Sequence, residues 1–344
     1  MRREIEEIPD VVGRYAVDGA EESEAAARAI RSRRPRFAAI VARGTSDHAA
    51  IYARYLIEAS LGWPTGLVAS SVVTVYQAPV DWRDVLLLAV SQSGTGPDVV
   101  AVTTAAREGG AQTVAVTNDP GSPLAAVAEH VLDIRVGPER SVAATKTYVG
   151  QLAAIAGLVA RVADRPGLMG AIGDLPGRLG AAIERSLAWL DSADSPLEPI
   201  AGSDRALIVS RGFNLATALE IGLKLQETSR VFALGYSAAD LLHGPIVLVG
   251  GDVPLVVIRP DGAMGASIDH SVARARREGG RPWLLGGAEV SPLPRSLSLG
   301  PGLPEELSPL AYVLPGQLLS EAVALQRGYD PDAPPGLTKV TLTR

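Results

Sequence analysis

The chain has 344 residues, a formal net charge of −6 and 47% hydrophobic residues, yet apolar runs such as Val85 to Val90 and Val253 to Ile258 stop well short of the roughly 20 residues that a membrane-spanning helix needs. It has no cysteine, which excludes disulfides, thiolate metal sites and a cysteine nucleophile within the chain. The acidic balance argues against general affinity for nucleic acid, and the local cluster Arg31, Arg33, Arg34 and Arg36 reads as a solvated helix end, where cations suit the negative end of the dipole.

About 35 residues precede the first strand and read as a single helix, starting from Met1-Arg2-Arg3-Glu4-Ile5-Glu6-Glu7. That start places acids where a signal peptide carries its apolar core, so a cytoplasmic location is expected. Apolar β-rich runs then alternate with helical patterns: Phe37 to Val41, Val85 to Val90, Thr113 to Val116 and Val131 to Ile134 as strands, with helices near 46–59, 97–108 and 122–129. Alternation of this kind predicts an α/β fold with βαβ units and mostly parallel sheets. Two helical patterns follow, about 143–163 and 169–192, before the breaker-rich Ser192-Ala-Asp-Ser-Pro196. A chain of this length exceeds what one core usually supports, and two domains are expected, 1–194 and 195–344.

The second half restarts the pattern, with strands at Arg205 to Val209, Val253 to Ile258 and Pro282 to Leu285 and helices near 213–228, 264–278 and 308–327. Phe37-Ala-Ala-Ile-Val-Ala-Arg-Gly-Thr-Ser46 and Arg205-Ala-Leu-Ile-Val-Ser-Arg-Gly-Phe-Asn214 are each a strand, then Arg-Gly, then a helix, which points to two copies of one doubly wound fold.

Strand Val85 to Val90 runs into Ser91-Gln92-Ser93-Gly94-Thr95-Gly96 ahead of a helix that begins near Pro97. Hydroxyls, backbone N–H groups and a positive helix end converge there as an anion cradle, and Gly44-Thr45-Ser46 offers a second set at another strand-to-helix junction. Plain helix capping accounts for either loop alone; the two together favour a phosphate. In the second half, Glu220, Lys224 and Glu227 stand at i, i+4 and i+7 among leucines, so they share one helix face and burial is expected. A solvated Glu–Lys pair is the bland alternative. His243 precedes a Gly-Pro stop, where a ring-opening acid or base is conceivable; His48, His130 and His270 are read as structural, and neither metal nor cofactor is expected.

Of 32 Lys and Arg residues, lysine accounts for three, Lys146, Lys224 and Lys339, leaving 32 − 3 = 29 arginines. A genome that favours arginine explains the background but not the exceptions. Arginine does not deprotonate in a protein, whereas lysine can become a nucleophilic amine, so the surviving lysines mark places where arginine would fail.

Taken together, Gly44-Thr-Ser46, Ser91-Gln-Ser-Gly94, Val142-Ala-Ala-Thr-Lys-Thr147, Leu219 to Glu227, His243-Gly-Pro245 and Gly336-Leu-Thr-Lys339-Val-Thr341 resemble the sugar isomerase (SIS) family across nearly the whole chain, and within it the isomerase half of the glucosamine-6-phosphate synthases. The resemblance implies two tandem SIS domains of flavodoxin-like type. It implies that Thr45, Ser46, Ser91, Gln92, Ser93 and Thr95 form the phosphate site and that Gly44 and the backbone around Val142 and Ala143 hold the sugar. It also implies that Glu227 shuttles a proton between C1 and C2, with Lys224 as its neighbour. His243 corresponds to the ring-opening residue, contributed by the neighbouring subunit of a homodimer with shared sites, and Lys339 to the amine that forms a Schiff base with the open-chain sugar.

Departures from the family pattern point to another sugar phosphate or reaction direction. Thr95-Gly96 closes the phosphate loop where Glu-Thr is usual, Ala144 replaces a serine, and Pro335-Gly336 stands where the synthase has Arg-Asn. Leu234 and Leu242 replace polar residues. Neither the glutaminase domain nor its cysteine is present in the chain, so glutamine use by that route is not expected. Amino-sugar phosphate deamination and ketose–aldose isomerisation are the expected reactions, with amination by free ammonia as a third. The alternative, a non-catalytic sugar-phosphate-binding regulator, does not require Glu227, His243 and Lys339 together.

Overall fold

The computed structural model describes residues 1–250 and 252–339; Thr341 and the rest of the expected tail pattern beyond Lys339 lie outside the described residues. The chain forms two compact units. The first comprises Ile8–Glu139, Lys146–Pro176 and the tail from Thr338, and the second Met1–Glu7, Arg140–Thr145 and Gly177–Leu337. This division differs from a single cut at residue 194: residues 1–7 and 140–145 count with the second unit, as does most of the helix Leu175–Leu190.

In the first unit five strands, β1 (Phe37–Val41), β2 (Thr65–Leu67), β3 (Val85–Val90), β4 (Gln112–Thr117) and β5 (His130–Asp133), pair in the order β2-β1-β3-β4-β5, all parallel. β4 is buried at all six positions and β3 at five of six, as expected of strands covered on both faces. The helix Lys146–Val162 is buried from Lys146 to Ala160 and packs against the helices Ile8–Asp18, Ala20–Arg33 and Thr45–Leu61. A helix apolar all round can only be an interior one.

The second unit repeats the plan with β6 (Arg205–Ser210), β7 (Phe232–Ser237), β8 (Leu255–Arg259), β9 (Trp283–Gly286) and β10 (Ser296–Ser298), again all parallel, in the order β10-β9-β8-β6-β7. Read from β7, this is the same 2-1-3-4-5 arrangement as in the first unit, the flavodoxin-like doubly wound order. The expected fold class is what the structure has.

Three strands were not expected. β2 and β10 are three-residue edge strands, too short to show a period. β7 carries Gly235 at its centre, a residue that usually weakens a strand. The close approach of the helix Leu215–Ser229 requires it: a Cβ at Gly235 would lie 2.7 Å from Leu219 Cα and 2.8 Å from the Ala218 carbonyl oxygen. The N-terminal region is not one helix but three, Arg2–Glu6, Ile8–Asp18 and Ala20–Arg33. Pro9 opens the second because a missing N–H costs nothing in a first turn. Met1–Glu7 is held in the second unit by the Met1 ammonium against Asp332 and by Arg2 against Glu321 at 2.6 Å. Among the described residues no helix is long and apolar enough to cross a membrane.

At the carboxyl end of β8 the largely buried Arg259 donates to Asp269 at 2.7 and 2.8 Å and to Glu289 at 2.8 Å. These hydrogen bonds hold both carboxyls below their usual range and raise the guanidinium. A depressed carboxyl contributes stability that is complete above its unfolded value, about 4, and is lost as pH falls through the folded one. Arg259→Met should therefore melt below wild type at neutral pH, with the gap narrowing as pH falls below about 4. Thermal denaturation across this range checks it, and a gap independent of pH would contradict the assignment.

Candidate functional site

In the first unit β1 and β3 lie side by side, and the two loops expected to form the anion cradle follow them. These neighbours are the point at which strand order reverses, the crevice where open α/β sheets bind ligands. β1 leads into Gly44-Thr45-Ser46 and the helix Thr45–Leu61, and β3 leads into residues 91–96 and the helix Pro97–Glu108. Both helices point their positive ends at this edge. Gly94 has φ +61°, and a Cβ there would sit 2.1 Å from Ser122 Oγ, so only glycine permits the turn.

The hydroxyls are held by the loop itself. Ser91 Oγ accepts the Gly94 N–H at 3.2 Å, and Ser93 Oγ accepts the Thr95 N–H at 3.3 Å and lies 2.8 Å from Thr95 Oγ1. The Gln92 carbonyl accepts the Asn118 N–H at 3.0 Å and the Thr117 hydroxyl at 3.2 Å, pinning the loop to β4. Ser46 is buried, and its Oγ accepts Gln151 Nε2 at 2.9 Å. Thr45, Ser46, Ser91, Gln92, Ser93 and Thr95 thus gather on one sheet edge.

Arg43, part of the repeated strand-Arg-Gly pattern, adds a cation beside these loops. Its Nε lies 2.6 Å from Oδ2 of the buried Asp98, whose Oδ1 accepts the Val99 N–H at 2.9 Å. The corresponding Arg211 of the second unit donates to Ser267 at 2.7 Å, so the repeated Arg-Gly is a shared device that ties the end of the first strand of each sheet to the helix that follows the third. Asp47 in the same turn has its carboxyl pushed up by burial, against the charges of His48 and Arg43.

Lys339 belongs to the first unit as well. Its Nζ lies 2.7 Å from Oε2 of Glu139, whose side chain is fully buried. Thr147, at the start of the helix Lys146–Val162, donates its N–H to Glu139 at 3.0 Å and its hydroxyl at 2.9 Å. Glu139 stands three residues before the Val142–Thr147 motif, and nothing in the local sequence marks it as a partner of Lys339.

In the second unit the helix Leu215–Ser229 carries the expected charged face. Glu220 and Lys224 side chains are 0% exposed and Glu227 is 24% exposed. Lys224 Nζ is 3.5 Å from Glu220 and in direct contact with Glu227. The solvated-pair alternative is thereby excluded. One ammonium sits between two carboxylates, and of these Glu227 is the partly exposed one. His243 caps the short helix Ala238–Leu242 and is exposed, on a separate element after β7.

Val142 and Ala143 lie in an excursion of the chain, Arg140–Thr145, that packs with the second unit. Glu4 accepts the Ser141 N–H at 3.3 Å, and Val142 donates its own N–H to the Asp332 carbonyl at 3.1 Å. The Val142 amide is therefore already engaged within the second unit.

Comparison with known proteins agrees with these features. The SIS domain model matches residues 33–161. Glutamine–fructose-6-phosphate aminotransferase [isomerizing] of Methanothermobacter thermautotrophicus is 37% identical over 303 residues, which cover 87% of this chain and 50% of that protein. The chain spans about half the length of the curated relatives it matches. A solved candidate phosphosugar isomerase from Silicibacter pomeroyi is 38% identical with a TM-score of 0.85, covering 96% of this chain and 99% of that one. The C-terminal domain of glucosamine-fructose-6-phosphate aminotransferase from Francisella tularensis is 25% identical with a TM-score of 0.84, covering 97% of both chains. With the repeated 2-1-3-4-5 sheets and the serine-rich loop at the first switch point, this agreement shows that the chain belongs to the SIS sugar isomerase family and is similar to the isomerase half of glutamine–fructose-6-phosphate aminotransferase.

Proposed function

We propose that this chain is an enzyme acting on a hexose or hexosamine 6-phosphate, by deamination of an amino-sugar phosphate or by ketose–aldose isomerisation through a Schiff base and an enediol. The observation that carries this reading is the trio of buried Glu220 and Lys224 with the partly buried Glu227. Desolvating three charges is costly, and simple binding of a sugar phosphate gives no reason for it. A carboxylate held by a buried ammonium and open on one side is what proton abstraction next to a carbonyl needs.

In this reading the hydroxyls and N–H groups of residues 44–46 and 91–95 hold the phosphate, and the carbonyls around Val142 and Ala143 orient the sugar. His243 opens the ring, and Lys339 forms the imine with the open-chain carbonyl. Glu227 then moves a proton between C1 and C2 through a planar enediol or enamine. Lys224 keeps Glu227 in place and offsets its charge.

Glu227→Gln keeps shape and removes the base. Turnover should fall about 10²- to 10⁴-fold, the usual contribution of a general base, while calorimetric affinity for the sugar phosphate stays near wild type. Wild-type turnover in this variant would overturn the assignment.

The exposure of His243 fits a residue that serves the site of a second copy. Mixing Glu227→Gln with His243→Ala under conditions of subunit exchange should restore part of the activity, since a mixed dimer with shared sites has one site with both residues intact. Proven exchange without recovery would show that each chain uses its own histidine.

A further inference from the structure

We propose that Glu139 is the acid–base partner of Lys339, taking a proton from its ammonium and returning it to the carbinolamine as water leaves. This rests on the reading of Lys339 as the imine-forming amine. The carboxylate is built into the first unit independently of the lysine. Its Oε1 accepts the Thr147 N–H at 3.0 Å and its Oε2 the Thr147 hydroxyl at 2.9 Å, both from the first turn of a long helix whose positive end favours an anion. Lys339 Nζ adds a third donor at 2.7 Å. The acid is 0% exposed and the lysine 25%, so the proton acceptor lies inside and the amine faces outward.

An ammonium has no lone pair, and an amine bound to a carbonyl must still lose oxygen as water. One fixed base in contact with Nζ serves both needs. Glu139 first takes a proton from the Lys339 ammonium, leaving amine and carboxylic acid. The amine attacks the open-chain carbonyl; the N–C bond forms and the oxygen takes the proton back from Glu139. Glu139 then removes a second proton from nitrogen and passes it to the carbinolamine hydroxyl, and the C–O bond breaks with release of water. Ammonium plus carbonyl has become protonated imine plus water, with Glu139 again a carboxylate, so atoms and charge balance without another reactant. An arginine at position 339 could not take part, which agrees with the survival of lysine there in a chain of 29 arginines among 32 basic residues.

The test is the rate of borohydride trapping on the full chain, with fructose 6-phosphate and glucose 6-phosphate as probes. Wild type should form an adduct that maps to Lys339, and Lys339→Arg should form none. Glu139→Gln should bind the same sugar phosphates with near wild-type affinity but trap about 10²-fold more slowly. In Glu139→Ala, added formate should restore part of the rate, which a structural role would not allow. Trapping by folded Glu139→Gln at the wild-type rate overturns the proposal. If that variant does not fold, Glu139→Asp carries the test: a carboxylate withdrawn by one methylene should slow trapping, and an unchanged rate counts against the proposal. Absence of any wild-type adduct overturns the Lys339 reading and this inference with it, whereas a wild-type adduct with unaltered Glu139 variants overturns the inference alone.

Discussion

All strands in both sheets run parallel to their neighbours, so within each unit every strand delivers its carboxyl end to the same edge. Parallel strands require crossover helices, and each helix begins at that edge with unpaired N–H groups. Loop hydroxyls, backbone donors and positive helix ends are therefore concentrated on one rim before any residue is chosen for chemistry. In the first unit strand order reverses between β1 and β3, and Thr45, Ser46, Ser91, Gln92, Ser93 and Thr95 follow those two strands on that rim. The equivalent rim of the second unit fills itself: Asp261 accepts the Ala288 and Glu289 N–H groups, and Glu289 accepts the Gly262 N–H and pairs with Arg259. In the second copy of the fold these donors are spent on its own carboxylates.

Buried charge is the second theme. Lys224 beside Glu220 and Glu227, and Glu139 beside Lys339 and Thr147, are pairs whose desolvation a stability argument alone does not justify. In each, one partner is fully buried and the other is about a quarter exposed, an arrangement that leaves a proton-carrying group reachable while its partner fixes it. Lys224 and Lys339 are amines in a chain that otherwise uses arginine almost throughout.

Much of this was legible from residue patterns. Strands such as β1, β3 and β6 announce themselves as continuous apolar runs, because strands covered on both faces have no polar side to alternate with. The charged face of the helix Leu215–Ser229 follows from spacing, and its burial from the leucines around it. What escaped was set by contacts between distant segments. β7 is hidden by Gly235, whose reason is the backbone of Ala218 and Leu219. The break of the N-terminal region into three helices depends on where Met1–Glu7 docks, which involves Glu321 and Asp332. Glu139 and Arg43 look like ordinary loop charges until the fold brings Lys339 and Asp98 to them.

The central claim is that the phosphate cradle and the buried acid–amine groups serve turnover of a phosphorylated sugar rather than its mere recognition. Incubating the purified protein with fructose, glucose and glucosamine 6-phosphates and with the unphosphorylated sugars, while following ketose and ammonia release, tests it most directly. The account predicts conversion of at least one 6-phosphate and none of the unphosphorylated sugars. Tight binding of a 6-phosphate with no conversion across the panel would contradict it and make the protein a sugar-phosphate sensor.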